Sequence, residues 1–141
     1  MDINQLIEFS GNHSLLVMAL FAILALLAAD TIRRSLSGIS DVEPRQATRL
    51  INTENAVMLD MRSEDEFRNS HIANAIHLDN LQNASSRLEK FRGKPLIVYC
   101  NSGNQSIRVC GKLHKQGFET VYNLKGGIAA WRKAELPVSR K

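Results

Sequence analysis

The sequence predicts an α/β domain with a mainly parallel central sheet and helices on both faces, preceded by one transmembrane helix. Short apolar runs alternate with amphipathic stretches, which favours the α/β class. The run 96–99 is continuously apolar, which is typical of a strand covered on both faces. The uniformly apolar run Leu15–Ala29 predicts the additional helix. A chain of 141 residues is long enough for one domain and hardly for two.

The apolar run Leu15–Ala29 contains 15 residues, slightly below the roughly 17–25 residues that span a bilayer. With flanking residues that a membrane interface tolerates, the predicted transmembrane helix covers 13–32 and follows a short external N-terminus, 1–12. A signal peptide is disfavoured because no Lys or Arg precedes Arg33. A buried core helix is the other alternative, but so apolar a helix needs protein on all sides.

Charge is distributed unevenly along the chain. Residues 1–32 contain three acidic and no basic side chains, whereas the remainder contains all 18 basic and 11 acidic ones, a formal charge of +7. Because Arg33 and Arg34 directly follow the predicted helix, the positive-inside rule places the N-terminus outside and the domain in the cytoplasm. We therefore expect a single-pass protein of the inner (plasma) membrane, anchored through 13–32. The basic surface either adds attraction to an anionic leaflet or only provides solubility.

Beyond the predicted linker 33–38, the globular domain is expected over 39–141. Pro44 suits the first turn of a helix, and Gly117 stands where a helix ends in a left-handed residue. Apolar runs predict strands over 56–60, 75–78, 96–100 and 120–124, and the stretches between and around them predict helices over 44–52, 64–69, 80–91, 106–116 and 127–134.

Cys100 lies at the carboxyl end of a predicted strand, where open α/β sheets bind their ligands. The residues NSGNQ (101–105) separate it from a helix that begins near Ser106, and Gly103 permits a tight turn. Such a loop can direct several backbone N–H groups and the positive end of the helix dipole at the thiol. These features predict a shift toward thiolate. The alternative, a small buried cysteine that ends a strand, does not require five consecutive small polar residues.

Four motifs, in order across nearly all of 39–137, resemble those of the rhodanese family. CNSGNQS resembles its active-site loop, Cys-x-x-Gly-x-x-Ser/Thr, and LDMRSEDEF resembles its Asp-x-Arg segment. SHIANAIHL resembles its Gly-His-Ile-x-Gly-Ala segment, with Ser70 and Asn74 in place of two glycines. GFETVYNLKGGIAAW resembles its closing segment. The resemblance implies a rhodanese-like domain over 39–141.

In that family the loop cysteine accepts a sulfane sulfur as a persulfide and passes it to a nucleophilic acceptor. By this resemblance, Cys100 would be the catalytic nucleophile, and the loop amides would bind the persulfide and the departing anion. The partners would be a sulfur donor, thiosulfate or a protein persulfide, and a thiol acceptor. Gln105 stands where many thiosulfate-using members have Arg, which weakens binding of a small dianion. The predicted substrate-binding residues are Asn101, Ser102, Gly103, Asn104, Gln105 and Ser106.

Other interpretations accompany this assignment. Asp60 and Arg62 lie at the carboxyl end of a predicted strand and either border the same pocket or form an ion pair that supports the loops, the interpretation we favour. A cysteine phosphatase with a Cys-x5-Arg loop is disfavoured because position 106 is Ser. A non-catalytic rhodanese-like module that recruits a partner to the membrane remains the alternative function. The His and Cys residues lack metal-ligand spacing, and we expect no metal, no other cofactor and no nucleic-acid partner.

Overall fold

The computed structural model describes residues 3, 9, 11–36 and 38–141. The chain divides into two units, Met1–Leu36 and Ser37–Lys141. The predicted external N-terminus, 1–12, lies mostly outside the described residues, and so does Ser37 of the predicted linker. The first unit contains helix α1, Ser14–Leu36.

The prediction of a transmembrane helix over 13–32 is wrong. Across the described part of the chain, no helix combines the length and the apolar character that crossing a membrane requires. The apolar run Leu15–Ala29 amounts to about 22 Å of helix at 1.5 Å per residue, shorter than the hydrocarbon core of about 30 Å. Its polar flanks do not lengthen it. The localisation that depended on this span, an inner-membrane protein with its N-terminus outside and its domain in the cytoplasm, is wrong for the same reason.

The second unit confirms the α/β part of the prediction. Its strands are β1 (Ser40–Val42), β2 (Val57–Asp60), β3 (His71–Ile72), β4 (Ile76–His77), β5 (Leu96–Tyr99), β6 (Val121–Leu124) and β7 (Val138–Ser139). Its helices are α2 (Pro44–Glu54), α3 (Glu64–Asn69), α4 (Leu81–Leu88), α5 (Ser106–Lys115) and α6 (Gly127–Lys133), with a 3-10 turn at Glu89–Phe91. Within the described residues, five parallel strands pair in the order β1-β6-β5-β2-β4. Strands β3 and β7 pair antiparallel beside them.

Strand β5 lies in the middle of the sheet and is covered on both faces. Its four side chains are all buried, and they alternate between the faces because successive residues of a strand point in opposite directions. Leu96 and Val98 pack in a cluster with α4 and α5, whereas Ile97 and Tyr99 pack in a cluster with α2 and α6. Burying each such aliphatic side chain contributes about 1.5–3 kcal/mol. The sheet therefore fixes the carboxyl end of β5 firmly between two layers of helices.

Local sequence determines how several of these elements begin and end. Pro44 is the first residue of α2. An N–H at this position has no partner within the helix, so proline costs no hydrogen bond there. Ser63 and Glu66 form a capping box at the start of α3. Asn74 adopts a φ of 62°, a left-handed conformation that asparagine tolerates. Ser70 is extended, with a φ of −170°, so neither departure from glycine disturbs the fold.

Candidate active site

The loop 101–105 joins the carboxyl end of the central strand β5 to helix α5, which begins at Ser106 as predicted. The Cys100 side chain is 3% exposed and lies at the base of this loop. Gly103 and Ser106 are buried with it, whereas the other loop residues are exposed. The loop therefore encloses the sulfur while its outer side chains face solvent.

The first turn of α6 holds the loop in this curvature. The N–H groups of Ile128 and Ala129 donate to the carbonyl oxygens of Cys100 (2.9 Å) and Asn101 (3.3 Å). Gly127 allows the approach, because a Cβ added there would lie 2.3 Å from the Cys100 carbonyl oxygen. With these carbonyls bound to α6, the loop can direct its N–H groups toward the sulfur.

Gly103 is the residue at which the loop reverses direction. Its φ is +88°, and an added Cβ would lie 2.9 Å from the carbonyl oxygen of Leu124 and 3.0 Å from the amide nitrogen of Gly126. In this conformation the Gly103 N–H donates to Cys100 Sγ at 3.0 Å. A residue with a side chain would therefore strain the backbone and collide with the segment before α6.

The surroundings of Cys100 favour a negative charge on the sulfur. Burial by itself raises the pKa of the thiol, but its hydrogen bond with the Ser106 side chain and those from the backbone N–H groups of Ser106, Ser102 and Gln105 outweigh it. The net result is a Cys100 pKa below its ordinary value. A thiolate is the nucleophilic form of cysteine, so the loop can support attack on an electrophilic sulfur.

A polar network that the sequence analysis missed lies behind the sulfur. Ser106 Oγ is 3.4 Å from Cys100 Sγ and donates to Asn123 Oδ1. Asn123 Nδ2 in turn donates to Asp41 Oδ1 at 2.8 Å. The sequence signal that could have revealed this network is Asn123, a polar residue inside the apolar run of β6. In the structure its side chain is 2% exposed.

The side chains of the predicted substrate-binding residues do not all face the sulfur. Asn101 Nδ2 donates to Glu66 Oε1 of α3 at 2.7 Å, which ties the loop to the neighbouring helix. Gln105 is exposed and makes no side-chain capping bond at the start of α5. Ser102 and Asn104 are exposed as well. The structure thus brings backbone N–H groups and the Ser106 hydroxyl to Cys100, rather than the outer side chains.

Asp60 and Arg62 form a buried ion pair at the end of β2. Arg62 Nη2 lies 2.7 Å from Asp60 Oδ2 and also donates to the carbonyl oxygen of Ser70 at 2.6 Å. The two side chains are 0% and 4% exposed, Asp60 being the more buried. This geometry links the end of β2 to the end of α3.

Cys110 lies in the apolar cluster between α5 and the sheet, and it is fully buried. Burial, and secondarily the Asp41 carboxylate, raises its pKa to about 12. Among the described residues, no three His, Cys, Asp or Glu side chains are grouped so that they could hold a metal ion.

The chain is similar to several known proteins. The family model described as rhodanese-like domain matches residues 43–134. The chain is 37% identical over 139 residues to the uncharacterized protein YibN of Escherichia coli (strain K12), covering 96% of this chain and 97% of that protein. It is 41% identical over 96 residues to the thiosulfate sulfurtransferase GlpE of Coxiella burnetii, covering 67% of this chain and 87% of that protein. The solution structure of the rhodanese-like domain from the Anabaena sp. Alr3790 protein has a TM-score of 0.64 at 27% identity, covering 72% of this chain and 79% of that one.

Proposed function

Since the chain belongs to the rhodanese-like domain family, we propose that it is a sulfurtransferase in which Cys100 carries a sulfane sulfur from a donor to a thiol acceptor. The observation that carries the proposal is the hydrogen-bonding environment of Cys100 Sγ. The Gly103 N–H donates to it at 3.0 Å, and donors from the start of α5 hold its pKa below the ordinary value despite burial, which raises it. Relatives named thiosulfate sulfurtransferase support the same reaction class.

The proposed reaction has two displacement steps. In the first, the Cys100 thiolate attacks the outer sulfur of the donor, and the bond between that sulfur and the rest of the donor breaks. With thiosulfate, sulfite leaves with the electron pair and Cys100 becomes a persulfide anion, so charge and atoms balance. In the second, an acceptor thiolate attacks the terminal sulfur of the persulfide and regenerates the Cys100 thiolate. The N–H groups of the loop stabilise the anionic sulfur in both steps.

Gln105 bears on the choice of donor. Its side chain is exposed at the N-terminal end of α5, where a cation would contact a dianionic donor. A neutral amide donates a weaker hydrogen bond to an oxyanion than a guanidinium does. We therefore propose that thiosulfate is a poor donor and that a protein persulfide, which presents no sulfonate group, is used more efficiently.

The test is the intact mass of the full chain after incubation with thiosulfate or with a persulfide donor. We expect the addition of one sulfur atom. The Cys100→Ser variant should gain none, while the Cys110→Ser variant, which changes the buried thiol of the apolar cluster, should gain it as the native chain does. If neither donor loads Cys100, the sulfurtransferase proposal fails, and a non-catalytic protein-binding module becomes the better interpretation.

A further inference from the structure

A continuous chain of polar groups leads from the sulfur to the edge of the sheet. Cys100 Sγ contacts Ser106 Oγ at 3.4 Å, Ser106 contacts Asn123, and Asn123 contacts Asp41 at 2.8 Å. Ser106 and Asn123 are 0% and 2% exposed. Asn123 Nδ2 also donates to the carbonyl oxygen of Gly103 at 3.1 Å. Because the Ser106 and Asn123 side chains are buried, their polar groups must find hydrogen-bond partners within the protein.

The donors and acceptors fix the direction of every hydrogen bond. The carboxylate of Asp41 and the carbonyl oxygen of Gly103 accept but do not donate. Asn123 must therefore turn its NH2 group to these two oxygens and its Oδ1 to Ser106. A serine hydroxyl has one proton, and Ser106 gives it to Asn123. Its lone pairs remain for Cys100, so Ser106 accepts from the thiol and cannot at the same time donate to a thiolate.

We propose that Asn123 and Asp41 are positioning residues that hold the Ser106 proton away from Cys100 until the sulfur becomes anionic. When the thiol ionises, its proton leaves to solvent and the Ser106 hydroxyl rotates to donate to the sulfur. Asn123 Oδ1 then loses its donor, and a buried acceptor without a donor is unfavourable. Asn123 thereby opposes ionisation, whereas the backbone N–H groups of the loop favour it, and the balance sets how readily Cys100 reacts.

Asp41 strengthens the effect of Asn123 from the other end. Its carboxylate accepts a hydrogen bond from the Asn123 NH2 group and polarises the amide. This polarisation makes Asn123 Oδ1 a stronger acceptor for the Ser106 proton. Several other ionisable groups lie on the elements around Cys100. None of them is substituted in the variants that test the proposal. These are Asp60 at the end of β2 and Arg62 after it, Glu66 on α3, Arg108 and Lys112 on α5, and Lys125 before α6.

The test is the pH dependence of Cys100 alkylation by iodoacetamide in the full chain carrying Cys110→Ser, which leaves one thiol. Asn123→Leu removes the acceptor at similar volume and frees the Ser106 proton for the sulfur. The midpoint of the profile should fall by about one pH unit, which is about tenfold more thiolate at a fixed lower pH. In a Ser106→Ala background, the same substitution should leave the midpoint unchanged, because Asn123 acts through the hydroxyl.

Asp41→Asn provides a second route if Asn123→Leu does not fold as judged by circular dichroism. It keeps an acceptor for Asn123 and removes the charge, so the midpoint should fall by less, and the shift should vanish with Ser106→Ala. Glu43→Gln, which removes another exposed carboxylate two residues along, is the matched control and should not shift it. An unchanged or raised midpoint, or an equal shift with and without Ser106, overturns the proposal. The inference concerns the proposed catalytic site, but alkylation does not require sulfur transfer, so the two proposals can fail independently.

Discussion

Cys100 and Cys110 are ten residues apart and both are buried, yet their surroundings act on the thiol in opposite directions. Cys100 lies among N–H donors, which overcome the effect of burial and lower its pKa. Cys110 lies in an apolar cluster, where burial raises its pKa to about 12. Its thiol donates a hydrogen bond to the carbonyl oxygen of Tyr122 at 3.4 Å, which only the neutral form of the thiol can do. The comparison indicates that the orientation of nearby donors, rather than exposure, decides the direction in which the pKa of each thiol shifts.

The largest expected effect is the difference in reactivity between the two thiols. The pKa of Cys100 is held below its ordinary value, whereas burial raises that of Cys110 to about 12. At neutral pH we therefore expect their thiolate fractions to differ by roughly a thousandfold or more, since each pKa unit is a factor of ten. Iodoacetamide should therefore modify Cys100 and leave Cys110 unmodified in the folded chain. Peptide mass mapping after brief labelling at neutral pH measures this.

One variant, measured folded and unfolded, checks the assignment of that labelling. Cys100→Ser should abolish modification of the folded chain, and unfolding it in urea should make Cys110 reactive. Equal labelling of both thiols in the native fold would contradict the comparison, because it would mean that the loop donors do not determine reactivity.

Gly127→Ala should remove much of the advantage of Cys100. An added Cβ would lie 2.3 Å from the Cys100 carbonyl oxygen, and the residue has a φ of +59°. The first turn of α6 must then move, and the loop loses the two bonds that hold its curvature. We expect the rate of Cys100 alkylation to fall by about a hundredfold, since displaced donors no longer reach the sulfur.

Gly93→Ala is the matched control for this substitution. Gly93 has a φ of +84°, but an added Cβ there meets nothing within 4 Å. The variant carries a similar backbone strain of about 1–2 kcal/mol without the collision. It should lower the free energy of unfolding and leave Cys100 alkylation unchanged. If both variants slowed alkylation equally, general destabilisation would explain the result.

The parts of the molecule that were predicted correctly are those that local sequence determines. Helices α3 and α5 begin at the predicted residues, and the cysteine loop was recognised from its own composition. Strands β1, β3 and β7 were missed because they have two or three residues and are defined by partners elsewhere in the chain. The Asn123 network was missed for the same reason, since the pairing of β1 with β6 sets Asp41 opposite Asn123. The transmembrane prediction failed because polar flanks were counted toward an apolar length.

Gln105→Arg replaces a neutral hydrogen-bond donor at the loop with a charged one and should improve the use of thiosulfate. A charge-assisted hydrogen bond contributes about 1.5–3 kcal/mol and a neutral one about 0.5–1.5 kcal/mol. The rate of Cys100 persulfide formation at low thiosulfate concentration should therefore rise about tenfold. Intact-mass time courses measure it.

Asn104→Arg places the same charge on the adjacent exposed loop residue and is the control for a general electrostatic effect. It should give a smaller gain that disappears at high salt. A protein persulfide donor should not benefit from Gln105→Arg. An equal gain from both substitutions would show that position 105 has no particular contact with the donor.

The smallest expected effect concerns Asn101, whose side chain lies in the loop but is bound to Glu66 at 2.7 Å. The Asn101 side chain, followed by Ser63, holds the pKa of Glu66 below its ordinary value. In Asn101→Ala, the Glu66 pKa should rise but remain lowered by Ser63, as NMR titration of the carboxyl group would show. The stability that a lowered carboxyl pKa provides is present above the ordinary pKa and is lost as pH falls through the folded one. The free energy of unfolding of Asn101→Ala should therefore fall below that of the native chain mainly at pH values above the ordinary carboxyl pKa, and the difference should disappear at lower pH.

Persulfide formation at Cys100 should fall by less than about threefold in Asn101→Ala, because the loop backbone and its bond from Ala129 to the Asn101 carbonyl oxygen remain. Asn101→Asp, which places a second carboxylate against Glu66, should weaken the attachment to α3 further and slow loading more. A tenfold or greater loss in Asn101→Ala, with an unchanged Glu66 pKa, would show that this side chain contacts the donor directly. The distinction between donors that reach the sulfur and side chains that brace the loop would then have to be redrawn at Asn101.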